Sequence, residues 1–398
     1  MITYEEAIQI IDRHAKPLPA KRVHIGQARG RFLAEDLIAR YDSPPFDNSA
    51  VDGFGRSLHD LDSTRLKVVA KLKAGDKGTV QVGRGQAVRI FTGAPVPKDI
   101  AAVSMQEDCE TDGDFVIFKE PSELGDHIRR TGGDFQKGDT VLRTGAYMSP
   151  AAVGIAISAG FRDVSVTPNP EVSMLTSGTE LVNITHELPP WKIYDSNFYA
   201  LSSAVHELLD DWTITTASDK PVVLRRKMLD AMQGDIVITT GGVSVGEHDL
   251  LKEEFAHWNV KERFWRVAIK PGKPVYFGTQ GDKLVFGLPG NPVSALVTYY
   301  LFAKPAILKR MGHPDPWPNP LRARFEGECR KKPGRMEFLR GVLSQEGTEN
   351  VAREAGEQGS HQMAAMAASN CLIHFPLEAS ELHNGDEVEV THLAWGLT

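Results

Sequence analysis

The stretch DIVITTGGVSVGEHD, Asp235 to Asp249, decides the fold. Its first half is a short apolar, β-branched run. Its second half is a glycine loop closed by a carboxylate. A buried strand that ends in such a loop is the ligand-facing unit of an open α/β sheet. Gly241, Gly242 and Gly246 let the backbone approach a ligand, and successive N–H groups around Ser244 can cradle an anion. Asp249 either binds ligand or only caps a turn.

Working outward, similar runs occur at VSML (Val172–Leu175), TITTA (Thr213–Ala217) and LVFGL (Leu284–Leu288). Helical patterns stand beside them at Ser196 to Leu209, Val222 to Met232 and Pro292 to Lys309. Strands alternating with helices predict an α/β multidomain chain built on a parallel sheet with helices on both faces. Upstream the texture differs. Between Arg56 and Lys119 short runs (RLKVVAKL, QAVRIF, AAVSM, DFVIF) alternate with Gly, Asp and Pro turns, which predicts a small β-rich unit. Thr3 with Glu6 reads as a capping box for a first helix, and Ser149, Pro150 and Gly160 bracket a second. The β-rich unit is therefore read as an insertion. A Pro-rich linker, His313 to Pro320, precedes further short strands that predict a terminal β barrel. The expected segments are 1–43 plus 125–168 (discontinuous helical), 44–124 (β-rich), 169–315 (α/β) and 316–398 (barrel).

The 398 residues are 41% hydrophobic and 24% charged, ordinary for a soluble globular protein of two to three domains. Lys plus Arg is 45 against 52 Asp plus Glu, a formal charge of −7, which argues against nucleic acid as the main partner. Three scattered cysteines and no CxxC pair argue against a zinc site or disulfide framework. The first residues lack the apolar core of a signal peptide, and the apolar stretch Ala151–Ala159 is far short of the ~20 residues that span a bilayer. The expected setting is the cytoplasm, with no membrane partner.

Several loops carry chemistry. PGNPVSALV offers Asn291 as N-cap and Pro292 as first-turn residue of a helix that follows a strand, an anion-attracting arrangement or merely a well-capped helix. TSGTEL presents Glu180. VAIKPGKPVYFG sets Lys270 and Lys273 on a proline-stiffened loop, and two adjacent cations favour an anion between them. SPPFDNSAVDGFG holds Asp47 and Asp52, as ligand groups or as turn caps. In RRTGGDFQKGD, Arg129 and Arg130 pair either phosphate or the nearby Asp126 and Asp134. Carboxylates at Asp52, Asp134, Glu180, Asp219 and Asp249, with lysines and glycine loops, suit Mg²⁺ on a phosphorylated, nucleotidyl substrate. No Walker A motif or GxGxxG is present.

In order, SPPFDNSAVDGFG, RIFTGAPVP, RRTGGDF, TSGTEL, IYDSN, TTGGVSVGEHD, AIKPGKP, GLPGNPVSALV, GRMEFLR and GSHQMAAMAASN resemble the molybdopterin molybdenumtransferase (MoeA) family, related to the gephyrin E domain. The resemblance runs from about Thr3 to the C-terminus. It implies a homodimer of elongated, four-subdomain protomers whose α/β unit is like a molybdopterin adenylyltransferase. It implies Mg²⁺-dependent insertion of molybdate into adenylylated molybdopterin with release of AMP, in a cleft shared between protomers. Matched by motif, Asp52, Thr92, Asp134, Glu180 and Asp249 are the implied catalytic residues. Asp52, Glu180 and Asp249 are the implied metal ligands. Asp219, Gly241, Gly242, Ser244, Gly246, Lys270, Lys273, Pro289 and Pro292 bind substrate, and Arg335 and Ser360 line an oxyanion site.

Two acids of the family pattern are replaced, by Gly133 and Thr179. Alternative readings are a tungstate-specific paralogue, a non-catalytic scaffold, and adenylyl transfer itself. A molybdopterin adenylyltransferase is a further implied partner.

Overall fold

The computed structural model describes residues 1–218, 220–241 and 250–393. Contacts divide the chain into two units, Met1–Lys21 with Thr167–Thr398, and Arg22–Val166.

The first unit is built on a six-stranded sheet. Its order is Thr213–Ala217, Val172–Ser177, Ile236–Thr240, Lys283–Leu288, Tyr276–Gln280, Lys261–Trp265. The β-branched run Ile236–Thr240 is buried throughout, as a central strand covered on both faces must be. The first four strands are parallel. Tyr276–Gln280 runs against them and pairs antiparallel on both sides, which departs from the parallel sheet that the alternation predicts. The reason is the short connection. Gln280 pairs with Lys283, so only Gly281 and Asp282 turn the chain, and two residues cannot make a parallel crossover.

Helices Ser196–His206, Pro221–Ala231 and Leu250–His257 accompany the sheet. Leu224, Met228 and Ala231 bury the inner face of the second among Val237, Phe255 and Val285. The predicted helix from Pro292 to Lys309 is instead two α-helices, Pro292–Thr298 and Lys304–Arg310, joined by a π turn, Tyr299–Ala303. Pro305 accounts for the widening: it has no N–H to donate, and its ring would clash in a regular α turn.

The N-terminal helix Tyr4–His14 starts with the capping box formed by Thr3 and Glu6. Its Tyr4 ring packs edge-on against Phe338 and beside Phe302. Residues between Leu321 and His392 form a closed five-stranded barrel. The strands Met336–Glu346, Glu349–Glu354, Leu321–Phe325, Glu387–His392 and Cys371–Phe375 follow one another, and the last pairs with the first. Phe325, Leu339, Ile373, Phe375 and Val390 fill it.

The second unit holds a mostly antiparallel sheet in the order Ile100–Met105, Gly53–Ser57, Gln86–Ile90, Arg65–Leu72, Phe115–Phe118, Cys109–Asp112. The sequence runs match four of these strands and miss Cys109–Asp112, whose acids read as a turn, and Gly53–Ser57, whose glycines hide it from β-propensity. Those glycines are required, since a Cβ at Gly53 would lie 1.9 Å from the carbonyl of Ser104. Beside the sheet, Ile25, Leu33 and Leu37 share a core with Met148, Ala152, Ala156 and Val164. Helix Pro150–Ser158, capped by Ser149, lies in that core, and Gly160 ends the turn at φ +92°. Segments before and after the sheet thus bury each other. No helix among the described residues is long and apolar enough to cross a membrane.

Candidate functional site

The carboxyl ends of the parallel strands open into a cleft of about 620 Å³. Ser177, Thr240 and Pro289 mark three strand ends at its floor. This is where an open α/β sheet places its ligand. Gly241 is confined to glycine by both backbone and space. Its φ is +91°, and a Cβ there would stand 2.3 Å from the carbonyl oxygen of Ser177. Gly178 leaves room for the carboxylate of Glu180, whose oxygens a Cβ would meet at 2.8 and 2.9 Å. Glu180 itself is exposed on the cleft wall.

Two wall residues were not singled out by the sequence reading. Asp195 is buried. It accepts from Phe198 N at 2.9 Å and from the Thr176 hydroxyl at 2.5 Å, so it caps the helix and ties it to the neighbouring strand end. Asn197 donates its Nδ2 to Thr240 Oγ1 at 2.9 Å and to the carbonyl of Gly290 at 2.7 Å. The available signal was the D-S-N at a strand-to-helix junction, where an Asx cap and a second amide fall on one turn.

The Pro289–Pro292 turn joins the cleft as expected, and Pro292 opens its helix. Asn291 corrects one expectation. It occupies the N-cap position, yet its side chain caps nothing. Its Nδ2 donates instead to Ser360 Oγ at 3.1 Å, which links this turn to the loop of the barrel. The lysine loop corrects another. Lys270 does not face an unpaired neighbour, because its ammonium stands 3.0 Å from Glu337, whose side chain is largely buried. Strand pairing puts them opposite each other. Lys273 is exposed. Arg335 is half-buried and its carbonyl accepts from Lys331 Nζ at 2.7 Å.

In the other unit the structure brings Asp52 and Thr92 together across 40 residues. One oxygen of Asp52 accepts both the backbone N–H and the hydroxyl of Thr92, each at 2.8 Å. These bonds, with the Arg89 charge nearby, hold the Asp52 carboxyl below its ordinary range. Arg130 pairs with Asp47 at 2.7 Å, rather than with Asp126, Asp134 or a bare phosphate site. Asp47 also accepts from Thr131 N and Oγ1, so it serves as a turn cap. Asp134 is exposed, next to Gly133. A Cβ at Gly133 would approach the Arg130 carbonyl at 3.0 Å, so the acid of the family pattern would need that carbonyl to shift by a few tenths of an ångström.

Gly242, Ser244, Gly246, Asp249 and Asp219 lie outside the described residues. Among the described residues no three His, Cys, Asp or Glu side chains gather as a metal cage. Mg²⁺ does not need one, since it binds through one or two carboxylates, waters and substrate phosphates. The exposed Glu180 carboxylate in the cleft fits that requirement.

Residues 2–160 match the MoeA N-terminal region (domain I and II), residues 173–309 a probable molybdopterin binding domain, and residues 322–393 the MoeA C-terminal region (domain IV). A Haemophilus influenzae protein named molybdopterin molybdenumtransferase is 35% identical, with 98% of each chain covered. The chain belongs to the MoeA family. As such it is a transferase of molybdenum cofactor biosynthesis. Molybdopterin molybdenumtransferase 2 of Mycobacterium tuberculosis is 31% identical over 94% of this chain and 95% of its own. The crystal structure of a molybdopterin biosynthesis MoeA protein from Pyrococcus superposes with a TM-score of 0.82 at 28% identity, covering 99% of this chain and 100% of that one. The folded architecture is therefore that of the family, barrel included.

Proposed function

We propose that the chain inserts molybdenum from molybdate into adenylylated molybdopterin, in a Mg²⁺-dependent reaction that releases AMP. The carrying observation is the cleft at the strand ends, with its glycine-lined floor, its Asn197 amide and its open Glu180 carboxylate. The relatives named molybdopterin molybdenumtransferase support the reading.

In this reading the floor turns at Gly241 and Pro289 admit the pterin and its phosphates. Glu180, with Asp249, would hold Mg²⁺. When bound, that ion offsets charge on the phosphates as AMP departs. Lys270, Lys273, Arg335 and Ser360 hold the oxyanion electrostatically. The chain acts in the cytoplasm as a homodimer, and Asp52 and Thr92 of one protomer serve its partner's cleft. Asp52 is suited to hold charge because Thr92 keeps it ionised.

The test is AMP release from adenylylated molybdopterin, with Mg²⁺ and molybdate, by wild type, Asp249→Ala and Glu180→Gln. Molybdate-dependent release that both variants lose is the expected result. Release with tungstate alone would mark a tungstate paralogue, and binding with no release would mark a carrier.

A further inference from the structure

Ser360 follows a segment pinned by a residue that does not line the cleft. That segment is the turn Glu357–Gly359, whose carbonyls face a buried guanidinium. Arg340 Nη2 donates to the carbonyl oxygens of Glu357 and of Gly359, both at 3.2 Å. The same turn is joined to the backbone of Arg340 through Gln358. Arg340 N donates to Gln358 Oε1 at 2.8 Å, and Gln358 Nε2 donates to the Arg340 carbonyl at 3.1 Å. Beyond the turn, Ser360 Oγ accepts from Asn291 on the cleft rim. Arg335, the arginine of the proposed oxyanion site, immediately precedes the strand Met336–Glu346 that carries Arg340.

Arg340 is an expensive way to hold a turn. It is 1% exposed and its Nε has no hydrogen-bond partner; Glu354 and Glu337 act on its charge through space, but among the described residues no carboxylate lies within ion-pair distance of it. Burial outweighs these two distant carboxylates, and a well-packed apolar side chain would often fill the space more stably. What the guanidinium supplies that an apolar side chain cannot is a fixed donor to two carbonyls and a positive potential behind Ser360.

We propose that Arg340, with Gln358, is the positioning device of the oxyanion site: it fixes the Glu357–Gly359 turn so that Ser360 meets a tetrahedral dianion of the molybdate class, and it lends that dianion positive potential. The inference rests on the reading of Ser360 and Arg335 as oxyanion residues.

The test uses the full-length chain and titrates molybdate alone, then tungstate, by calorimetry. Gln358→Ala loosens the turn without removing the buried charge. Arg340→Lys keeps the charge but not the two-carbonyl fork, and Arg340→Met removes both. Gln358→Ala is expected to weaken molybdate binding about tenfold. Arg340→Met is expected to weaken it further, with Arg340→Lys in between. In turnover the KM for molybdate rises while the KM for adenylylated molybdopterin stays within about twofold. A merely structural role would lower the melting temperature and move both KM values together, which would overturn the proposal. So would a molybdate affinity within about twofold of wild type in folded Gln358→Ala and Arg340→Lys. Ser360→Ala separates the two readings. If it binds molybdate normally, the oxyanion site itself is misassigned. If it weakens binding while Gln358→Ala and Arg340→Lys do not, only the positioning role falls.

Discussion

Asp52 and Thr92 form a closed pair: one carboxylate oxygen receives both the amide and the hydroxyl of the threonine at 2.8 Å. The geometry is that of a turn cap and of a charge-holding acid at once. Both donors stabilise the ionised form, which is why the carboxyl lies below its ordinary range.

Thr92→Val removes the hydroxyl and keeps the amide. The Asp52 carboxyl should then titrate at higher pH than in the wild type. Carbon-13 NMR of labelled aspartate reads this directly. The acid limb of the AMP-release profile should move upward with it. An unmoved titration would show that the backbone N–H alone sets the charge.

Gly241→Ala puts a Cβ at φ +91° and 2.3 Å from the Ser177 carbonyl. Strain of this kind costs of order 1–3 kcal/mol, and the strand end must move. The melting temperature should fall. Ligand affinity should fall too, because the displaced strand end is the cleft floor. A melting curve beside a binding isotherm checks both.

Asn197→Leu keeps bulk but removes the amide that joins Thr240 to the Gly290 carbonyl. Thr240 Oγ1 keeps its bond to the Pro289 carbonyl, and the exposed Gly290 carbonyl turns to water, so the cost stays at about 1 kcal/mol. The Pro289–Pro292 turn should loosen, with faster amide hydrogen exchange at Gly290 and Asn291. Weaker pterin binding, measured by calorimetry, should accompany it.

The barrel contains a pH-sensitive histidine. His374 is buried, its Nε2 is 2.8 Å from Thr391 Oγ1, and burial pushes its pKa from 6.5 down to about 4. Glu389 lies 3.7 Å from its other nitrogen but is mostly exposed, so it does not offset the burial. Above pH 6.5 the folded and unfolded chains both hold a neutral imidazole, and its contribution is complete. Between 6.5 and about 4 the unfolded chain takes up a proton that the folded chain refuses, so stability drops as pH falls. His374→Gln should flatten that part of the melting-temperature profile. An unchanged slope would place the acid sensitivity elsewhere.

Much of this was legible in the sequence because it is local. Apolar runs name the parallel strands, Thr3 with Glu6 names the first helix, and glycine after a strand names the cleft floor. The collinear motifs name the family, because each motif is a contiguous set of side chains.

Other features depend on partners distant in the chain, and no window of sequence contains them. Whether Lys270 awaited an anion or already had one depended on Glu337, placed opposite it only by strand pairing. Arg130 had three acids within reach by chemistry, and the fold chose Asp47, 83 residues away. Asn291 read as a cap, but the barrel loop offered Ser360 and took its amide. Local periodicity and turn chemistry determined which elements form, since they are set by neighbours in the chain. The tertiary structure alone decided which polar groups pair, because burial makes each of them find a partner and only the packed fold says which one is near.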